Sequence, residues 1–194
     1  MLKLVRALDM PFNNVLEYYN SFKNKFEVNS FTISTIADGK DAYYERIIDS
    51  FEELYYLVDE EKPDYIIGFG SIENSGFIDY HKDNENDGNI SYGVRENKRN
   101  KGYGTLILNL LLLECERLGM EEVCISCLED NLASKRVIEN NFGVLEKYWL
   151  DDYTEKLALK YWIKLHPTLE AKLQRIKRIN QTKISYIQTS TYLR

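Results

Sequence analysis

The chain has no apolar run long enough to cross a bilayer. Its greasiest stretch, Leu110 to Leu113 with its neighbours, falls far short of the roughly 20 residues that a membrane helix needs. Positive charge is not in surplus either: 25 lysines and arginines face 31 acids, a net charge of −6. That balance argues against general nucleic-acid binding, which draws its affinity from neutralising phosphates. A cationic substrate suits such a chain better. Cysteine is sparse, with three residues at Cys115, Cys124 and Cys127; the odd count and the lack of disulfide-framework spacing fit a reducing compartment. The stretch "CISC" has CxxC spacing but reads as part of a strand, where residues three apart point to opposite faces and two sulfurs cannot share a metal. The N-terminal "MLKLVRALDMPF" lacks the apolar core of a signal peptide. No internal repeat or low-complexity tract is found. These absences lead to a cytoplasmic protein with no nucleic acid, membrane or metal among its partners.

What is present fits one globular domain and a tail. The 194 residues are 44% apolar and 29% charged, well away from the composition of disordered chains. Fifteen tyrosines suggest either aromatic packing or a polar-lined cleft. Periodicity then divides the chain. "LKLVRAL" reads as a strand, and helices follow in "MPFNNVLEYYNSFKNKFEV" and "DAYYERIIDSFEEL". "LYYLVDEEKPDYIIGFGSIE" is a hairpin with Pro63 at its turn, and the polar 74–88 is a loop. "NISYGVRE" is a strand, residues 104–118 a helix ended by Gly119, and "EEVCISCL" another strand. "NLASKRVIENN" is a short helix capped by Asn131, and "GVLEKYWL" and "EKLALKYWIKL" are two closing strands. The class is α/β, and the strand, helix, strand succession at 89–128 predicts one parallel pair joined by a right-handed crossover. The domain spans 1–166. Residues 167–194 carry six basic residues against one acid and an apolar stripe of Leu169, Leu173, Ile176 and Ile179, a basic amphipathic segment suited to packing on its own acidic domain or on a second subunit of a homodimer.

The chemistry concentrates in "NISYGVRENKRNKGYGTLILNLLLLECERLG". Two glycines allow positive φ and close backbone approach, so several N–H groups can converge at a helix start that already carries a partial positive charge. With Lys98, Arg99 and Lys101 around it, that nest suits a polyanion, above all a diphosphate. A tight turn with surface cations is the plain structural alternative. A P-loop is excluded, because GxxxxGK followed by Ser or Thr is missing; a dinucleotide fingerprint needs a third glycine where Ile107 stands.

"RNKGYG" resembles the Arg/Gln-x-x-Gly-x-Gly/Ala signature of the GNAT N-acetyltransferase superfamily, and "DNLASKRVIENNFGVLE" is similar to that superfamily's next motif. The run 88–149 carries the resemblance. It implies a GNAT-like central mixed, mostly antiparallel sheet of about seven strands flanked by helices, with one parallel pair opening a cofactor cleft. It also implies acetyl-CoA as cosubstrate and a small-molecule amine as acceptor. By the same resemblance Tyr92 to Val94 lend backbone groups to the pantetheine arm. Arg99, Asn100, Lys101, Gly102, Tyr103, Gly104 and Thr105 form the pyrophosphate cradle, Asn131 bonds the pantetheine, and Ser134 lies near the thiol. Helix capping alone would also account for Asn131 and Ser134.

An alkyl ammonium with a pKa near 10.4 is only about one part in 10³ neutral at pH 7, a handicap of roughly 4–5 kcal/mol that a general base offsets. Glu73 and His81 are the candidates by position, with Asp79, Glu129 and Asp130 behind them. Many members of the superfamily carry a tyrosine seven residues after the motif asparagine; here Ile138 stands there, so either Tyr92, Tyr148 or water protonates the departing thiolate or, as a fair leaving group, it departs without protonation. A catalytically silent acyl-CoA-binding module is the alternative function.

Overall fold

A computed structural model describes residues 1–23, 36–50, 52–73, 88–152, 154–165 and 177. The elements are β1 (Leu2–Arg6), α1 (Phe12–Asn20), α2 (Lys40–Asp49), β2 (Glu52–Asp59), β3 (Lys62–Glu73), β4 (Ile90–Val94), α3 (Tyr103–Arg117), β5 (Glu122–Leu128), α4 (Leu132–Asn140), β6 (Val144–Asp151) and β7 (Lys156–Lys164). Each helix and strand foreseen in these residues is present, with ends shifted by a few positions. Pro63 is displaced from its expected place: it lies inside β3, and Glu60 and Glu61 make the turn. Residue His81 and the segment 167–194, save Lys177, lie outside the described residues, as does the expected loop over 74–87.

The expected single mixed sheet is corrected. The strands form two sheets, β1-β2-β3-β4 and β5-β7-β6, and every ladder in both is antiparallel. The predicted parallel pair is replaced by a joint at one residue, Asn89, which is 3% exposed. Its carbonyl accepts from the Glu73 N–H at 2.9 Å, and its N–H donates to the Cys124 carbonyl at 3.1 Å. Its side-chain Oδ1 accepts from the Cys124 N–H at 2.7 Å. The amide thus stands in for a strand neighbour at the start of β4, and beyond it no ladder joins β4 to β5. A wedge is left between the two strands.

Two apolar cores flank the four-stranded sheet. One gathers Leu106, Ile107, Leu108, Leu111 and Leu112 of α3 with Leu57, Ile72 and Ile90, and with Val123, Tyr161 and Ile163 of the second sheet. The near-complete apolar circumference of α3 is therefore buried on more than one side, as its sequence predicts. The opposite core holds Val15 and Tyr18 of α1, Tyr43 and Ile47 of α2, and Tyr56, Val58, Ile66 and Phe69. Many of the tyrosines pack here: Tyr18 meets Phe22 edge-on at 5.0 Å, and the buried hydroxyls of Tyr43 and Tyr56 satisfy each other at 2.8 Å. Between Leu57↔Gly68 and Val58↔Ile66 the register slips, leaving Ile67 as an extra residue on β3. A slip of one reverses which face each side chain takes, so Ile66 enters the α1 core while Ile67 enters the α3 core.

Candidate functional site

The wedge is bounded by β4, by the loop after it and by the starts of α3 and α4. After Val94 the chain passes through Arg95, a short 3-10 turn at Glu96–Lys98 and an exposed stretch, Arg99 to Gly102, into α3. Asn100 has φ +60° and Gly102 φ +80°. Asparagine and glycine are the residues that tolerate this left-handed region best. Gly104 serves differently: it is helical, and a Cβ there would lie 3.3 Å from Val137 Cγ2 and 3.5 Å from Tyr92 Cε2. Its bareness lets α3 close onto α4 and β4.

The two helix starts at the wedge contrast. On α4, Asn131 Oδ1 accepts from the Ser134 N–H at 3.1 Å, an ordinary N-cap. On α3 the capping position is Gly102, which offers no side chain, and no side-chain cap bond is made. The first turn of a helix leaves its N–H groups without intrahelical acceptors, and here they open beside a loop carrying two exposed cations, Arg99 and Lys101. This is the arrangement that binds anions, with the helix dipole and the cations acting in the same sense. A diphosphate fits it. The Tyr103 ring is 5% exposed in the core, so its contribution to such a cradle is its N–H alone. Arg99 Nε donates to the Val94 carbonyl at 3.2 Å and Lys101 Nζ to the Asn97 carbonyl at 3.4 Å, while Lys98 Nζ lies 5.1 Å from the centre of the Tyr65 ring.

Tyr92, Val94 and Gly104 meet on the α3 side of β4. The Tyr92 hydroxyl is 2.9 Å from Ser134 Oγ on α4. Burial, eased by the bond to Ser134, pushes the Tyr92 pKa up to about 12, so this phenol keeps its proton. Ser134 also bonds to the half-buried Cys127, whose thiol is pushed up by burial. Tyr148, by contrast, is 68% exposed on β6. Ile138 is fully buried in the α3 core and takes no part. Glu73 lies at the closed end of the wedge, its N–H on Asn89. Because Ile72 enters the α3 core, Glu73 and Ser71 face the other side of the sheet, where Ser71 and Ser91 hydroxyls pair at 2.7 Å. The structure therefore brings together Tyr92, Val94, Gly104, Asn131 and Ser134, and sets Glu73 apart on the reverse face.

Two features escaped the sequence reading. Arg95, which the sequence reading did not single out, is 3% exposed and bonds inward to Glu17 at 2.7 and 2.9 Å. Its place at the end of an alternating strand was a signal, but nothing local points to Glu17. Asn89, the joint between the sheets, had no signal at all. Among the described residues no group of three or more His, Cys, Asp or Glu is gathered to hold a metal, and no helix is long and apolar enough to cross a membrane.

No curated protein sequence matches the chain. Among solved structures it is similar to the spermidine/spermine N-acetyltransferase SpeG from Vibrio cholerae, with 14% identity over 88% of this chain and 98% of that one and a TM-score of 0.65. It is also similar to yncA from Salmonella typhimurium, solved with its cofactor acetyl-CoA, with 16% identity over 87% and 96% of the two chains and a TM-score of 0.56. At these identities the likeness speaks for the fold. The family model described as "Acetyltransferase (GNAT) domain" matches residues 14–141, a span that holds the uncapped start of α3, the tyrosine of β4 and the capped start of α4, and on that match the chain belongs to the GNAT acetyltransferase family.

Proposed function

We propose that the chain is an N-acetyltransferase that moves an acetyl group from acetyl-CoA to a primary amine on a small cationic molecule. The observation that carries this is the α3 start, uncapped by any side chain and flanked by Gly102 at φ +80°, opening beside Tyr92 and the wedge. The N–H groups of residues 102–105, with Arg99 and Lys101, would hold the diphosphate; each charge-assisted bond of this kind is worth roughly 1.5–3 kcal/mol. Backbone groups of Tyr92 to Val94 and the amide of Asn131 would orient the arm that follows. Acetyl-CoA supplies the activated acyl group as a thioester.

What the protein must add is orientation, a neutral nucleophile and a proton for the sulfur. As the amine nitrogen bonds to the carbonyl carbon and the carbon–sulfur bond breaks, the Tyr92 hydroxyl, protonated throughout the working range, donates to the thiolate while Ser134 orients it, and the proton the nitrogen sheds on becoming an amide returns to Tyr92 through water. The proton the ammonium must lose passes to a base through water; Glu73, on the reverse face of the sheet from Tyr92, would take it only along such a chain. His81 remains a second candidate for that role. The acidic balance of the chain and the fold shared with a spermidine/spermine acetyltransferase support a cationic acceptor.

Calorimetric titration with acetyl-CoA, followed by free-thiol release across a panel of polyamines, aminoglycosides and amino-acid derivatives, tests the reading. Saturable binding with thiol release for a cationic amine is the expected result. Binding without release for any amine would make the chain a silent acyl-CoA-binding module, and absence of binding would remove the cradle.

A further inference from the structure

The cradle loop follows directly on Arg95, and Arg95 joins it to the opposite layer of the molecule. The extra residue Ile67 breaks the β2–β3 ladder, and the two carbonyls at that bulge are taken by one residue: Ile66 C=O accepts from Arg95 Nε at 2.7 Å, and Ile67 C=O accepts from the Arg95 N–H at 2.9 Å. The two terminal nitrogens of the same guanidinium reach Glu17 of α1, at 2.9 and 2.7 Å, and its Cζ lies 4.2 Å from the Tyr65 ring centre and 5.1 Å from that of Tyr18. One residue later, Glu96 Oε1 accepts from the Lys23 N–H at 2.9 Å, and Asn97 Oδ1 accepts from the Tyr65 hydroxyl at 3.3 Å.

We propose that Arg95 is the positioning residue of the cradle loop, and that the Glu17–Arg95 pair couples α1 to occupancy of that loop. The inference rests on the reading of the loop as a coenzyme A cradle. Arg95 is 3% exposed, so its charge serves the scaffold and not the ligand. Its planar fork makes two parallel bonds to one carboxylate while a third nitrogen fills the bulge, a combination that lysine, a single ammonium, cannot reproduce. Helix α1 packs in the core on the far side of the sheet from α3. An anion that fixes the loop therefore steadies α1 through Arg95 and Glu96, and by reciprocity anything that loosens α1 weakens the anion.

The test compares the full chain with Glu17→Gln and Arg95→Lys. Coenzyme A affinity is read by calorimetry, turnover with acetyl-pantetheine, which lacks the diphosphate, by thiol release, and amide exchange of residues 12–20 with and without coenzyme A. Glu17→Gln should weaken coenzyme A about threefold and Arg95→Lys about tenfold, within the range of coupled neighbours, while KM for acetyl-pantetheine changes less than about twofold. Coenzyme A should slow exchange in 12–20 of the wild-type chain, and Glu17→Gln should abolish that slowing. Equal losses for coenzyme A and acetyl-pantetheine, or no change in α1 exchange on binding, would overturn the coupling. Should Arg95→Lys not fold, Glu17→Gln, at a half-exposed carboxylate, decides alone. If the wild-type chain binds no coenzyme A, the cradle reading fails and takes this inference with it.

Discussion

Tyr92 on β4 and Ser134 on α4 place their hydroxyl oxygens 2.9 Å apart across the wedge between the two sheets. Tyr92→Phe removes the proton and keeps the ring against Gly104. It should lower kcat by about 10²-fold, the lower end of what a general acid contributes, with coenzyme A affinity within about twofold of wild type; a fall in affinity with kcat intact would assign the ring to packing instead.

The raised pKa of that phenol carries a sign. Burial favours the protonated form, so its contribution to stability is complete below the ordinary value of 10.0 and is lost as pH climbs through about 12. Steady-state rates should therefore show no loss assignable to Tyr92 up to pH 10, and Tyr92→Phe should flatten the alkaline edge of a stability profile measured between pH 10 and 12.

Glu17 works in the opposite direction. The bond from Arg95 holds its carboxyl below the ordinary value of 4.5; its stabilisation is present above that value and fades as pH falls through the lowered one. Stability followed by circular dichroism should fall more steeply with decreasing pH for wild type than for Glu17→Gln below pH 4.5, the two converging toward the acid limit.

Asn131 separates capping from cofactor contact by a conservative change. Asn131→Ala should cost about 1 kcal/mol of stability through the lost cap. Asn131→Ser restores the cap yet lacks the amide donor, so melting temperature should recover while coenzyme A affinity stays several-fold low. Full recovery of both would reduce Asn131 to a cap.

Gly102→Val forces a β-branched residue to φ +80°, a strain of about 1–2 kcal/mol. Because that strain falls at the cradle, coenzyme A affinity should drop at least about tenfold, whereas Lys82→Ala should leave it unchanged. Equal effects at both positions would contradict the cradle.

The local features were legible for local reasons. The apolar circumference from Leu106 to Leu112 declared a buried helix, and the glycine at 102 with an asparagine at 131 marked the open and the capped helix start, because turn and cap chemistry is written within a few neighbouring residues. The division into two sheets was not legible. It depends on Asn89 spending its side chain on Cys124, 35 positions away, and an asparagine at a strand start has the same composition whether it does so or faces water. Arg95 failed for the same reason: strand alternation hinted that it turns inward, but its partner is 78 positions distant and nothing local names it. Pro63 misled because proline usually marks a turn, while an early strand position tolerates it as well.

The joint at Asn89 has a mechanical meaning. Two plates fastened edge to edge at one riveted joint can pivot, and among the described residues the hydrophobic filling around α3 and the Tyr92–Ser134 bond resist. Any molecule lodged from the cradle to the hydroxyl pair would act as a second rivet far from the first. Ligation should therefore stiffen the whole body, with a thermal upshift on coenzyme A larger than its loop contacts alone would give.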